Sequence, residues 1–260
     1  MELTKTFLKM CIKRQLEYRL NFILLCIAVT PLHLLQMFFS WMVAEQFGAF
    51  GGWQKWELIF LYGLLLSTYG LTQVFFRQFR YFDNYIVQGT LDMYYVRPQS
   101  ILYTIVFSNL NIMEIVSQVF PSVLILIVAC IRCETTWTIG KVLFLLLTLC
   151  SGMIIQSCIF ILIGILSFWT NKSGTLQQLY FSFKNFINYP IHVYGKEVVG
   201  FLTFILPLGF INYYPALYLL DKEEHYHLID FMGFPVSVLM LLITLLLWNI
   251  AQKKYTSTGS

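Results

Sequence analysis

Long apolar stretches alternate with short clusters of charged residues along most of this chain. Because an ionised side chain is costly in hydrocarbon, charge-free stretches of about 20 residues predict membrane-spanning helices. Five such spans are predicted at residues 20–44, 58–76, 104–131, 142–170 and 231–252. The third contains one charge, Glu114, and the apolar stretch around it, 99–131, exceeds one crossing. Its first part is therefore expected to run through the membrane interface before the chain enters lipid.

Two further apolar segments follow residue 172, and only one of them is expected to cross. Segment 173–195 is interrupted by Lys184, whereas segment 198–220 contains two glycines and two prolines. Prolines and glycines break backbone hydrogen bonding, which a membrane tolerates only where protein or water satisfies the freed groups. Segment 198–220 is therefore predicted to dip in and return, and segment 173–195 to form the fifth of six spans.

Basic residues divide unevenly between the two sides of this six-span arrangement. Eleven Lys and Arg residues fall on the side of the N-terminus and five on the other. The positive-inside rule then predicts that both termini are cytoplasmic. Residues 1–19 are basic, with apolar positions at helical spacing, and they predict a helix in the cytoplasmic interface. This helix would serve either as a membrane anchor or as a lever beside a partner protein.

Composition excludes a water-soluble globular protein. The chain has 260 residues, of which 58% are hydrophobic and only 12% charged, against about 25% charged residues in soluble domains. Six spans use most of this length, so any catalytic or energy-coupling domain is expected on another chain. The net charge of +4 is too small and too scattered to predict binding of nucleic acid.

The segment between spans two and three, residues 77–98, is rich in Tyr and Arg. Gly89 suits the C-terminus of a helix, and Pro98 starts the next element. Aromatic residues with Arg are typical of interaction surfaces, but they are equally typical of an aromatic belt at the membrane interface. Both interpretations are open at this point.

Two sets of residues carry a resemblance to a known family. The first follows span two and consists of Gly89, Leu91, Asp92, Tyr94, Arg97 and Pro98. The second lies after Lys184 and consists of Tyr189-Pro190, Phe204-x-x-Pro207 and Asn212-Tyr-Tyr-Pro215-Ala216. Together with six spans, they resemble the permease subunits of type 2 ATP-binding cassette (ABC) transporters, more narrowly the small bacterial branch described as ABC-2 family transporter protein. The resemblance covers essentially the whole chain.

The resemblance implies an all-α integral membrane protein with two specialised segments. About Phe82–Arg97 would hold a coupling helix that docks on an ATPase subunit. Segment 198–220 would form re-entrant helices on the external side. The residues assigned to ATPase coupling are Asp83, Gln88, Gly89, Asp92, Tyr94 and Arg97. Those assigned to a re-entrant gate are Pro207, Asn212, Tyr213 and Pro215.

The chain contains no G-x-x-x-x-G-K-[ST] loop that could cradle phosphates. No cofactor is expected in it, and ATP with Mg²⁺ is expected in the partner ATPase. The resemblance also implies a second permease, identical or homologous, that completes a membrane dimer in the bacterial cytoplasmic membrane. Export of an amphipathic or hydrophobic substrate, such as a drug, a peptide or a lipid-like molecule, is the expected function.

Polar residues inside the spans are candidates for a translocation path, because intramembrane ionisable groups usually face protein or water. Glu114 is the only acid deep in a span and Lys184 the only base, so the two are predicted to line one interior or to face each other. The other candidates are His33, Gln36, Asn111, Gln118, Gln177 and Asn188. Structural pairing between helices is the alternative explanation.

Other function classes are less well supported by the residues. A secondary carrier or channel would work without an ATPase, but no internal inverted repeat is apparent. A membrane enzyme would need a catalytic constellation, and the chain has no H-E-x-x-H, no G-x-S-x-G and no paired intramembrane acids. The acids and histidines of residues 221–227 predict a solvated loop and not a metal site, because they fix no coordination geometry.

Overall fold

The chain folds into a bundle of helices, seen here in a computed structural model that describes residues 2–17, 19–47, 49–170, 173–222 and 228–255. Within these ranges it contains no β-strand, only an isolated bridge between Phe50 and Trp53. The α-helices are α1 (Glu2–Glu17), α2 (Arg19–Phe47), α3 (Lys55–Phe76), α4 (Phe82–Val87), α5 (Asp92–Tyr95), α6 (Ile101–Ser108), α7 (Phe120–Arg132), α8 (Ile139–Thr170), α9 (Gly174–Phe186), α10 (Lys196–Gly200), α11 (Tyr213–Leu219) and α12 (Gly233–Gln252). Most of the loop in which a solvated, metal-free segment was predicted, residues 223–227, lies outside the described residues.

Five helical segments are long and apolar enough to cross a membrane. They are Ile23–Val43, Lys55–Val87, Ile115–Arg132, Ile139–Thr170 and Gly233–Gln252. These segments contain α7, α8, α12, most of α2 and all of α3, and they coincide with five of the predicted spans. The chain is therefore an all-α integral membrane protein, as predicted.

Loop contacts define the two ends of the bundle. At one end, called the proximal end, the hydroxyl of Tyr95 donates to the carbonyl of Gln252 at 2.7 Å. At the opposite end, called the distal end, Nε2 of His192 lies 2.8 Å from the carbonyl oxygen of Gly51. The proximal end carries residues 77–112, and the distal end carries the loops before α3, before α8 and before α12.

The fifth predicted span, residues 173–195, contains a shorter helix than expected. Helix α9 has 13 residues, which rise about 20 Å and fall short of the ~30 Å hydrocarbon core. Its first turn lies at the proximal end, where the backbone N–H of Ser173 donates to Asp83 at 3.2 Å. The chain still reaches the distal end, because turns and a short 3₁₀-helix, Ile191–Val193, carry His192 to Gly51. Pro190 accounts for the early end, since a proline lacks an N–H and disfavours helical backbone at the residue before it.

Residues 196–219 enter and leave the bundle on the distal side. Two halves, Lys196–Ile205 and Leu208–Leu219, are bent by 77°. The segment begins close after His192, and beyond its end Lys222 binds Glu57 at 2.6 Å and the carbonyl of Gly52 at 3.2 Å. Since both ends touch the loop before α3, the segment is a re-entrant element, which agrees with the prediction for 198–220.

The predicted third span, 104–131, is divided into two helices. Helix α6 ends at Ser108, and the chain turns before a π-helix, Ile115–Val119, leads into α7. Gln15 of α1 bridges the break: its amide donates to the carbonyl of Leu110 at 2.6 Å and accepts from the N–H of Met113 at 3.1 Å. The first part of the apolar stretch therefore packs against α1 at the proximal end and is not part of the crossing.

Helix α3 forms the centre of the bundle and α2 its most exposed spanning helix. Each spanning segment contains an apolar stretch of 18 residues, called its apolar window. In the segment that contains α3, 89% of this window is buried, whereas in α2 only 6% is buried. Helix α8 approaches α3 closely at Gly152, where an added Cβ would lie 2.7 Å from Cγ2 of Thr68. Thr68 has little freedom to move away, because its hydroxyl accepts a hydrogen bond from Gln156 at 2.8 Å.

We expect Gly152→Ala to destabilise the protein by about 1–3 kcal/mol, because it overpacks the contact between α3 and α8. The midpoint of thermal unfolding of the detergent-purified protein measures this effect. Gly200→Ala is the matched control, since a Cβ at Gly200 has no heavy atom within 4 Å. Equal midpoints for the two variants would contradict the close approach of α3 and α8.

Candidate functional site

A polar cavity of about 210 Å³ opens between α2, α3 and α9. Its polar lining consists of His33, Gln36, Tyr62, Tyr69, Lys184, Asn185 and Asn188. Four residues predicted for a translocation path, His33, Gln36, Lys184 and Asn188, thus come together in one place. Asn111, Glu114, Gln118 and Gln177 lie outside this lining. The role of all eight as path residues stays a prediction.

Lys184 is the only Lys or Arg among the residues that line the cavity. Its Nζ lies 3.4 Å from the ring centroid of Tyr69 and 5.9 Å from that of Phe181. The part of the chain that the structure describes gives it no carboxylate partner. Aromatic faces stabilise the protonated form of this amine, which has the charge needed to bind an anion.

Glu114 has a different partner from the one that the sequence suggests. Its carboxylate forms an ion pair with Arg77, which directly follows α3, and accepts hydrogen bonds from Asn111 at 3.2 Å and Ser117 at 3.3 Å. Glu114 is therefore compensated without Lys184, and the two do not form a pair. Gln118 is buried, and its Oε1 has no hydrogen-bond partner among the described residues.

Tyr69 contacts both Arg80 and Lys184. Its hydroxyl accepts a hydrogen bond from Gln73 and lies 3.4 Å from Nη1 of Arg80, while Lys184 covers its ring. Arg80 also lies over Phe181, at 4.7 Å from its ring centroid. Sequence reasoning missed Arg80, because it was counted only as a cytoplasmic charge. Its position one turn after a span was the available signal, since long basic side chains reach back along apolar surface.

Gln177, which lies on the same helix as Lys184, contacts the segment after α3. Its side-chain amide donates to the carbonyls of Phe79 and Arg80, the first at 3.2 Å. It thereby attaches the start of α9 to the 3₁₀-helix Arg77–Tyr81 that follows α3. Gln177 thus links α9 to the segment after α3 at the proximal end.

Residues 77–98, called the proximal segment, present apolar side chains away from the bundle. Phe79 and Phe82 anchor it, with ring centroids 5.9 Å and 5.6 Å from that of Trp248 in α12. On its outer side Met93 is 57% exposed and Val96 is 84% exposed. Because this segment follows the end of a span, these exposed side chains are available to a soluble partner.

The six residues predicted for ATPase coupling differ in their surroundings. Asp83 and Tyr94 contact the rest of the bundle, since Asp83 accepts from Ser173 and Tyr94 accepts from Asn109 at 3.3 Å. Gln88 and Arg97 are exposed, Asp92 lies in the first turn of α5, and Arg97 stacks over Tyr94 at 5.5 Å. Gly89 has a φ of 67°, which permits the turn between α4 and α5.

The segment is also joined to the end of α12. Besides its hydrogen bond to Gln252, Tyr95 stacks on Tyr255 with ring centroids 5.1 Å apart. Burial raises the pKa of Tyr95 to about 12, and the nearby Tyr255 and Asp92 add to this shift. The phenol therefore stays protonated at neutral pH and remains a donor.

The predicted gate residues hold the re-entrant element in place. Asn212 is fully buried, and its amide donates to the carbonyls of Ile187 at 2.6 Å and Leu61 at 3.3 Å. Tyr213 hydrogen-bonds Nδ1 of His192 at 3.1 Å. Pro207 lies at the bend, and Pro215 lies in the first turn of α11, where a missing N–H costs little. His192 was not predicted, because its role depends on the loop before α3.

We expect Glu114→Gln to destabilise the protein by about 1–2 kcal/mol, because Arg77 loses its partner but is partly hydrated. The side chain of Arg77 is 37% exposed, whereas that of Glu114 is 2% exposed. Thermal unfolding of Glu114→Gln, Arg77→Gln and the double variant measures the coupling. Glu134, which is exposed and belongs to none of the ion pairs among the described residues, supplies the control Glu134→Gln. Additive effects of the two single variants would show that the pair contributes nothing.

Comparison with known proteins gives one match. The family described as ABC-2 family transporter protein matches residues 31–259. No curated protein and no solved structure matches the chain. The matched range includes the segment predicted for ATPase coupling, the re-entrant element and all spanning helices except the start of α2. The chain therefore belongs to the ABC-2 family of transporter proteins and is a multi-pass membrane permease of the ABC type.

Proposed function

We propose that this chain is the permease subunit of an ATP-driven exporter and that its substrate passes along the polar cavity between α2, α3 and α9. The observation that carries the proposal is Lys184, a basic side chain within an apolar bundle that faces a cavity and has no carboxylate partner among the described residues. Ionisable groups in such positions typically mark the pathway of a transported molecule.

A second permease, identical or homologous, would complete the pathway. Helix α2 forms one wall of the cavity and has only 6% of its apolar window buried. A second subunit packed near α2 would enclose the cavity between two bundles. One permease with α2 left bare to lipid would instead leave the polar lining open at its edge. We therefore propose a membrane dimer in the bacterial cytoplasmic membrane, with both termini of this chain on the cytoplasmic side.

The proximal segment is the proposed docking site for an ABC ATPase subunit, which would bind ATP and Mg²⁺. Its exposed residues Met93, Val96 and Arg97 suit an apolar contact with a charged rim. Its contacts with Ser173 and Gln252 would pass a movement of the ATPase to α9 and α12. Because α9 carries Lys184, the same movement would change the cavity.

Reconstitution distinguishes this function from the alternative of a carrier or channel. The tagged full chain should co-purify with an ATPase subunit from its native membrane. In liposomes the complex should then move substrate only when ATP and Mg²⁺ are supplied. Transport by the purified chain alone, with no ATPase accompanying it, would contradict the exporter and favour the carrier or channel.

We expect Val96→Asp to weaken co-purification of the ATPase by about tenfold, because a charge replaces an apolar contact at the centre of the docking surface. Arg97→Glu should weaken it less, since a charge at the rim contributes less. Leu228→Asp is the matched control: Leu228 is 85% exposed, against 84% for Val96, but lies at the distal end. Quantitative pull-down from membranes measures all three. Equal recovery with Val96→Asp and Leu228→Asp would place the ATPase elsewhere.

A further inference from the structure

We propose that the cavity between α2, α3 and α9 selects an anionic head group, so that the transported substrate is an amphiphile with a phosphate-like or carboxylate head. This inference rests on the proposed function of the cavity as a substrate path and names the class of substrate. It begins with the balance of charge around Tyr69.

The described residues leave an excess of positive charge at this place. Their ion pairs are Arg77–Glu114, Lys141–Asp221 and Lys222–Glu57. Lys184 and Arg80 belong to none of these pairs, although both contact Tyr69 and Phe181. Two basic side chains, both partly buried, thus share one aromatic cluster without a carboxylate partner among the described residues. A positive charge in such a place costs free energy. An anion in the cavity would relieve this cost.

A second copy of this chain does not provide the missing negative charge within the membrane. Glu114 is the only acid deep in a predicted span. It is 2% exposed and already bound to Arg77, Asn111 and Ser117. Another identical permease therefore brings no free carboxylate to the level of Lys184. An anion bound beside Lys184 would therefore come from a ligand or from a different partner.

The rest of the polar lining suits an anion as well. The amide groups of Gln36, Asn185 and Asn188 line the same cavity as Lys184 and carry N–H groups that can donate to an anion. His33 adds a further ring nitrogen: its Nδ1 lies 3.4 Å from the hydroxyl of Tyr62, and its buried Nε2 has no partner among the described residues. Donors around one cation are the arrangement that binds phosphate and carboxylate groups.

The size of the cavity limits what enters it. A volume of about 210 Å³ is several times the ~30 Å³ share of one water molecule, but it is smaller than the ~300–1,000 Å³ pockets that enclose drug-sized ligands. A head group fits, and the remainder of the molecule must lie outside. Leu32 of α2 lines the cavity and is 63% exposed, and Leu35, about one turn further along the helix, is 51% exposed, so an apolar tail can lie along this helix.

Binding of matched amphiphiles to the full chain in phosphatidylcholine nanodiscs tests the proposal. The probes are dodecyl phosphate, dodecyltrimethylammonium and dodecyl maltoside, which share one tail and differ in head-group charge. We expect dodecyl phosphate to bind at least about tenfold more tightly than the cationic probe, because a charge-assisted contact contributes that much or more. Inorganic phosphate should compete only weakly, since it has no tail.

Variants of the cavity assign the effect to Lys184. Lys184→Gln should abolish the preference for dodecyl phosphate, and Lys184→Arg should retain it. Lys196→Gln, the same change at an exposed distal residue, should have no effect. Asn188→Asp is a second test that keeps Lys184. The added carboxylate should weaken the binding of dodecyl phosphate and strengthen the binding of the cationic probe. Size-exclusion chromatography shows that each variant is folded.

Three results would overturn the proposal. The first is tighter binding of the cationic probe than of dodecyl phosphate. The second is unchanged binding of dodecyl phosphate to both Lys184→Gln and Asn188→Asp, and the third is binding of inorganic phosphate as tight as that of dodecyl phosphate. These results are independent of the ATPase. If dodecyl phosphate binds through Lys184 but no ATPase accompanies the chain, the anion site stands and the exporter fails. If ATP-driven transport occurs but Lys184→Gln does not change the binding of the probes, the exporter stands and the anion site fails.

Discussion

Charged side chains within an apolar bundle need compensation, and this requirement shapes the whole proximal half of the protein. Glu114 is buried at the start of the third crossing, and it is tolerated there because Arg77, Asn111 and Ser117 surround its carboxylate. Arg77 can reach it only because α3 ends at Phe76 and gives way to a 3₁₀-helix. The end of the most buried helix and the start of the next crossing are thus fixed against each other by one ion pair.

A related constraint governs the re-entrant element at the distal end. Backbone groups freed by Pro207 and by the 77° bend need partners, since lipid offers none. The element meets this need by packing against protein on several sides. Asn212 binds carbonyls of α3 and of the chain after α9, and Thr203 of the first half hydrogen-bonds Tyr214 of the second at 2.7 Å. Lys141 then fixes its end through Asp221 at 2.6 Å.

The sequence predicts the spanning helices well because hydropathy is a local property. A charge-free run such as 142–170 has one low-energy environment, and α8 occupies it from Ile139 to Thr170. The re-entrant element was also predictable, since Pro207 and Pro215 act on their own backbone. Partners were not predictable in this way. Glu114 has Arg77 and not Lys184, and Gln15 bridges the break before α7, because such contacts depend on how distant segments pack.

Helix α9 shows how a short element can connect the two regions that function requires. Its start is attached to the proximal segment through Asp83 and Gln177, and its last turn carries Lys184 into the cavity. It has 13 residues and is followed by turns and a short 3₁₀-helix, Ile191–Val193. The distal end of α9 is therefore connected to the bundle by non-α-helical backbone. A shift of the proximal segment would therefore move α9 as a rigid unit and displace Lys184 relative to Tyr69. A long helix fixed at both ends would resist the same shift. In the proposed exporter, the interruption after Phe186 would allow a movement at the proximal end to change the position of Lys184 in the cavity.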